Sequence, residues 1–336
     1  MRLSNRAEIL SLWFMTIYPT TAGTEPLSKP TLLSGLLGDY MDGVATKAKT
    51  IHLLNPSAGK GAANKVKKNI KHDDFIYVSE TPEASAEFIK KTADKSPDTC
   101  FTVYGGDGTV FTAVNALMES GHNDTASLRV VPVGSGNDFI KTLENDSGKH
   151  RIDVMRVNDK YAVNVVNMGF DCGVVERALK LKKKKFITGK MAYIYGVVGE
   201  LIKKKPLNLR VTFTYEDGKT EVIEEKLLLC AVANAKWYGG GFKVAPLADV
   251  CDGLLDVMII RNVSRRTFIS FVGDFKNGTL VDENGKPQEK VKDILYYKRC
   301  VAIKIEGCDT YCADGEIFKG NTVEISVIPK ALNYIN

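Results

Sequence analysis

Cys100-Phe101-Thr102-Val103-Tyr104-Gly105-Gly106-Asp107-Gly108-Thr109 is the stretch on which the fold turns. A short apolar run ends on a glycine-rich corner, and Val110 to Glu119 then carries helical spacing. A strand that closes on such a corner and enters a helix is half of a βαβ unit. Working outward, the same grammar recurs. Ile51-His52-Leu53-Leu54 ends at Asn55-Pro56, and residues near Asn64 to Ile70 read helical. Phe75-Ile76-Tyr77-Val78 precedes a helical stretch from Glu83 to Thr92, and Leu128 to Val133 ends at Gly134. Four apolar strands alternating with helices predict a doubly wound parallel α/β sheet, with ligands bound beyond the carboxyl ends of its strands.

From about Arg151 the alternation stops. Ile152–Val157, Tyr161–Met168, Leu209–Tyr215, Val222–Ala233, Leu254–Ile260, Val301–Ile305 and Val323–Ile328 are rich in β-branched residues and separated by turn sequences. This half predicts an all-β sandwich, interrupted by helical insertions near Val174–Leu201 and Ser264–Lys276. The polar stretch Glu144 to Lys149 marks the boundary. The expected organisation is an accessory leader over residues 1–48, an α/β nucleotide-binding domain over 49–148, and a β-sandwich over 149–336 whose last strands can return to the first domain. Arg2 and Arg6 ahead of the apolar run Ile9–Tyr18 loosely imitate a signal peptide, but Glu8 abuts the run and no small-x-small cleavage site follows.

Composition narrows the classes. With 336 residues, 44% hydrophobic and 26% charged, the chain can bury a full core. Seven cysteines, an odd number without a CxxC pair, fit reduced thiols in a cytosolic protein rather than a disulfide scaffold. The four histidines are too far apart for a local zinc pair, and no stretch reaches the roughly 18–20 apolar residues needed to cross a bilayer. The net charge of +6 is unevenly placed. Arg177 to Lys205 holds ten Lys/Arg against Glu200 alone, so that window carries +9 and the remainder −3.

Gly105-Gly106-Asp107-Gly108-Thr109 has the residues of a phosphate cradle. Glycines admit backbone close to an anion, and N–H groups entering the next helix point at it. A carboxylate in such a place needs a metal ion or a hydroxyl between it and the phosphates. Gly134-Ser135-Gly136-Asn137-Asp138 follows the fourth strand in the same topological position, with Ser135 able to donate to a phosphate oxygen and Asn137 and Asp138 able to cap a helix. Asn55-Pro56-Ser57-Ala58-Gly59 follows the first strand, without the spacing of a Walker A loop.

These three motifs, in this order and spacing, resemble the catalytic domain shared by diacylglycerol kinases, sphingosine kinases and bacterial soluble lipid kinases. The resemblance covers about residues 50–330 and is strongest to the bacterial branch. It implies an α/β nucleotide-binding domain related to phosphofructokinase and NAD kinase, a β-sandwich domain, and ATP with Mg²⁺ in the cleft between them. It implies nucleotide contacts from Asn55, Ser57, Gly59, Ser79, Gly105, Gly106, Asp107, Gly108, Thr109, Ser135, Asn137 and Asp138. Asp249, Asp252 and Leu254 match a segment that holds a structural magnesium. Asp314-Gly315-Glu316 matches the family's DGE, in which the glutamate is the general base. Transfer of a phosphoryl group to an alcohol needs such a base beside an aligned γ-phosphate. Asp107 would organise Mg²⁺ and water, and Asp314 completes the catalytic set with Glu316.

Departures are specific. Phe111 stands where the family usually has Asn, Thr112 where an acid is common, and Glu83-Ala84 where Gly and Asp or His follow. Ser79 and Ser135 replace threonines and keep the hydroxyl. The implied activity is phosphorylation of a lipid hydroxyl, with diacylglycerol the first acceptor. A sphingoid-base or other lipid kinase, and a non-catalytic nucleotide- or lipid-binding regulator, are the alternatives. The lysines at 182–185 and 203–205 allow either a solvated helix face or docking of a cytoplasmic enzyme on an anionic membrane. No nucleic-acid reading module accompanies them. A homodimer is expected only by family analogy.

Overall fold

The computed structural model describes residues 50–56, 75–79, 81–134, 136–143, 149–182, 199 and 206–336. The expected leader, the helical stretch near Asn64–Ile70 and the boundary residues 144–148 lie outside them. The parallel layer is built from β1 (Thr50–Leu54), β2 (Phe75–Val78), β3 (Cys100–Gly105) and β4 (Ser127–Pro132), in the spatial order β2-β1-β3-β4. Register is direct: Ile51 faces Phe75 on one side and Phe101 on the other, and Phe101 in turn faces Leu128. Helix α1 (Pro82–Lys95) starts at Thr81, whose hydroxyl accepts from Ala84 N at 3.2 Å, with Pro82 in the first turn. Helix α2 (Asp107–Ser120) buries Val110, Ala113, Val114 and Leu117, and ends on Gly121 in the left-handed region. The short α3 (Asp138–Leu143) follows β4.

The remaining strands form the β half. They are β5 (Lys149–Val157), β6 (Lys160–Ala162), β7 (Val165–Gly169), β8 (Leu207–Thr214), β9 (Thr220–Ala233), β10 (Leu255–Arg261), β11 (Leu295–Cys300), β12 (Ala302–Glu306), β13 (Thr310–Ala313), β14 (Glu316–Lys319) and β15 (Thr322–Ile335). Two of them are fourteen residues long and serve two layers each. The first part of β9 pairs with β8, and its last residues pair with β7 and β10. One face of these strands packs Val166, Met168, Cys230, Val232, Val257 and Ile259 against Ile303, Ile305, Val323 and Ile325, which is the sandwich core. The other face is closed by α4 (Phe170–Lys182) and α5 (Arg265–Asn277), through Phe170, Val174, Phe268, Phe271 and Phe275. Burying such side chains stabilises each by about 1.5–3 kcal/mol, and the continuous apolar run Leu227–Ala233 is the sequence trace of a strand covered on both faces.

The last strand does return. Thr322 to Ser326 pairs with β12, whereas Asn333 and Tyr334 pair in parallel with Ser127 and Leu128 of β4. Along β5 the register of β15 slips between Ile328 and Leu332, where Pro329 brings no N–H and Lys330 takes φ of +50°. One strand thus passes from sandwich to α/β sheet at that bulge. Of the expected helical insertions, the second is α5, and the first is described only to Lys182, in α4, which begins at Phe170, four residues earlier than expected; its remainder, apart from Gly199, lies outside the described residues.

Candidate active site

The two glycine loops meet beyond the ends of β3 and β4. Val133 N donates to Gly105 O at 3.1 Å, and a Cβ on Gly134 would stand 2.6 Å from Gly106 Cα. Only glycine permits that approach. Asn137, at φ +52°, closes its own loop: its Nδ2 donates to Gly134 O at 2.9 Å and its Oδ1 accepts from Gly134 N at 3.1 Å. Gly106 caps α2 without any side chain, so the first turn presents backbone N–H groups as an anion site requires. Asn55 reaches in from β1, donating from Nδ2 to Thr109 Oγ1 at 3.2 Å.

Asp107 sits inside this crossing. Its Oδ1 accepts from Asp138 N at 3.1 Å, and its Oδ2 lies 2.6 Å from where a Cβ on Gly136 would be. Burial raises its carboxyl above the usual range and the charge of Asp138 adds to the rise. Asp138 itself is buried and committed, with Lys141 Nζ on Oδ1 at 2.5 Å and Gly240 N on Oδ2 at 2.6 Å. Ser79 is buried and donates its hydroxyl proton to Thr81 O at 2.7 Å, within its own turn. Ser57, Gly59 and Ser135 lie outside the described residues.

The DGE segment arrives on a two-residue hairpin between β13 and β14. Asp314 at φ +48° and Gly315 at +94° form the doubly left-handed turn that this connection demands. The Asp314 carboxylate is fully engaged: Oδ2 accepts from Val163 N at 2.8 Å, and Oδ1 from Asn164 N and Val165 N, both at 3.0 Å. Burial pushes this carboxyl up to about 7, against the three backbone donors that favour its charged form. As placed, Asp314 anchors the hairpin to the backbone of residues 163–165. Glu316 is the exposed member, and its Oε1 stands 3.1 Å from where a Cβ on Gly108 would be. The structure therefore brings Glu316 over the GGDGT corner, from residues more than two hundred positions away in the chain.

Two contacts that sequence did not disclose hold this arrangement. Phe111, the departure from the family pattern, packs on Phe318 of the same hairpin with ring centroids 6.1 Å apart, and Phe318 stacks in turn on Tyr311 at 5.4 Å. Asn115 donates from Nδ2 to Tyr161 O at 2.8 Å and accepts from Tyr161 N at 2.9 Å, tying α2 to β6. A single amide inside the apolar run Val110–Met118 was the available signal.

The expected magnesium segment lies elsewhere, in the loop before β10. Asp249 Oδ1 accepts from Cys251 N and Asp252 Oδ1 from Leu254 N, both at 3.0 Å, so each carboxylate is folded into its own turn. The other Asp252 oxygen is taken by Arg299 Nη2. Among the described residues no three acids, histidines or cysteines assemble as a metal site. Asp249 Oδ1 and both Asp252 oxygens thus make bonds within the chain. Around Asp107 the glycines are there because neighbouring groups occupy the space that a Cβ would need: Gly106 against Gly134, and Asp107 Oδ2 against Gly136.

Comparison with known proteins agrees with this geometry. Residues 49–168 match the diacylglycerol kinase catalytic domain, and residues 164–336, just over half of the chain, match the YegS C-terminal NAD kinase beta sandwich-like domain. A protein named diacylglycerol kinase from Mycobacterium tuberculosis is 27% identical over 311 residues, covering 85% of this chain and 94% of its own. A protein named "Probable lipid kinase YegS-like" from Chromohalobacter salexigens is 29% identical over 52% of this chain and 58% of its own. A crystal structure of a diacylglycerol kinase from Bacillus anthracis superposes with a TM-score of 0.62 at 18% identity, over 85% of this chain and 96% of that one, which speaks to the fold. Motifs, fold and matched domains converge: the chain belongs to the diacylglycerol kinase catalytic-domain family, in its bacterial soluble, YegS-type branch.

Proposed function

We propose that the protein is an ATP- and Mg²⁺-dependent lipid kinase that transfers the γ-phosphoryl group to a lipid hydroxyl, with diacylglycerol as the first acceptor and phosphatidate as the product. The observation that carries the reading is Glu316 Oε1 lying over Gly108 of the GGDGT corner. The α2 N-terminus and the backbone of the crossed glycine loops would hold the phosphates, with Asn55 and Thr109 lining one side. Magnesium, when bound with the nucleotide, would neutralise phosphate charge; Asp107 is the carboxylate placed to hold it, directly or through water. Glu316 would accept the proton of the acceptor hydroxyl, and its exposure keeps it reachable from the lipid side. Asp314 would act through Glu316 by fixing the hairpin.

The lysines at 182–185 and 203–205 would hold the enzyme at an anionic membrane, each contributing about 1 kcal/mol near such a surface. Their side chains lie outside the described residues. Among the described residues no helix is long and apolar enough to cross a membrane. The test is transfer from labelled ATP with Mg²⁺ to diacylglycerol and sphingosine in anionic mixed micelles, and to NAD in solution. Labelled phosphatidate that disappears with Asp107→Ala supports the reading. Label on sphingosine or NAD would keep the chemistry and replace the acceptor. ATP binding without any product would replace the enzyme with a regulator.

A further inference from the structure

We propose that the Arg299 guanidinium is the built-in cation of the 249–256 loop and holds it without a bound metal ion. The loop leads into β10 and sits where β15 changes sheets. Asp153 of β5 grips both partners there: its Oδ2 accepts from Gly253 N and its Oδ1 from Lys330 N, each at 2.7 Å. Asp153 N donates back to Val250 O at 2.6 Å. Position of this loop and register of the β15 bulge are therefore set together.

Four carboxylates lie about this joint, namely Asp153, Asp249, Asp252 and Asp256. Such a group of acids calls for positive charge. Arg299, near the end of β11, supplies it through two separate N–H groups: Nη2 donates to Asp252 Oδ2, and Nε approaches Asp256 Oδ2 at 3.4 Å. Asp256 is 1% exposed and also accepts from Tyr297 OH at 2.7 Å. A planar guanidinium can bridge two carboxylates in this way, where a lysine presents one point charge. With Asp252 and Asp256 both turned to Arg299 and Asp249 Oδ1 accepting from Cys251 N, Arg299 is the cation that the chain itself supplies to this loop.

The test is thermal melting of the full chain without nucleotide, in EDTA and in millimolar Mg²⁺ or Ca²⁺. Wild type should melt at the same temperature in all three. Arg299→Gln should lower the melting temperature by about 5 °C, because a buried carboxylate loses its partner. Arg299→Lys should keep part of that loss from appearing. If Arg299→Gln gives no folded protein, Asp252→Asn carries the test, with a smaller drop that no divalent ion reverses. A wild-type melting temperature that falls in EDTA and recovers with Mg²⁺ would overturn the proposal, and so would an Arg299→Gln variant that melts like wild type. The test reads no transfer, so its result is independent of the proposed kinase activity.

Discussion

Two junctions of this molecule solve opposite problems. At the crossing of the GGDGT and GSGND loops, side chains have been taken away: Gly106 and Gly134 nearly touch, and Gly136 leaves room for Asp107. At the joint around Asp153, side chains have been added: Asp153, Asp252 and Arg299 tie a loop, a bulge and a strand end. The first brings two backbones together at the N-terminus of α2, and the second ties two sheets in register through side-chain charge.

The sharpest way to break this contrast is Asp314→Ala. Three buried N–H groups would lose their acceptor at once, and denaturant unfolding should show a loss of about 3–5 kcal/mol. A variant as stable as wild type would mean that the hairpin is not anchored through its carboxylate. Gly134→Ala comes next. Its Cβ would meet the Gly106 backbone, which cannot swing aside, so about 1–3 kcal/mol of stability should go, with ATP affinity falling as the two loops part. Unchanged ATP affinity would show that the crossing is only structural.

Phe111→Ala and Phe318→Ala form a double-mutant cycle with an expected coupling of about 1 kcal/mol in unfolding free energy. Additive losses would separate α2 from the Glu316 hairpin. The last effect is a pH slope. Asp171 is buried against the Tyr238 hydroxyl at 2.5 Å, and burial pushes its carboxyl up to about 7. An unfolded aspartate loses its proton near 4, so between about 4 and 7 the folded state binds the extra proton and stability falls as pH rises. Asp171→Asn should flatten that fall in melting curves taken across this range.

How much of this could be read from the chain follows from where its parts lie. The glycine corners are contiguous, so GGDGT after an apolar strand announced the fold and where its loops would meet. The DGE turn was legible as a turn from Asp314-Gly315, and its meeting with Gly108 only through resemblance. The Asp153 joint was invisible. Its members, Asp153, Gly253, Arg299 and Lys330, are spread over more than 170 positions, and each alone reads as a surface charge or a turn. Phe111 looked like a defect in the motif, yet it gains a ring partner on the hairpin that carries Glu316. In the magnesium segment the acids were legible, but the bonds of Asp249 Oδ1 and Asp252 to local turns and to Arg299 were not.

The account stands on Glu316 acting across the cleft from GGDGT. The direct measurement is ATP affinity and single-turnover phosphoryl transfer to diacylglycerol, taken on the same preparations of wild type and Glu316→Gln. An exposed glutamate that serves only as the base predicts unchanged folding and ATP affinity, with transfer slowed by about 10²–10⁴-fold. Transfer by Glu316→Gln at the wild-type rate would contradict the account.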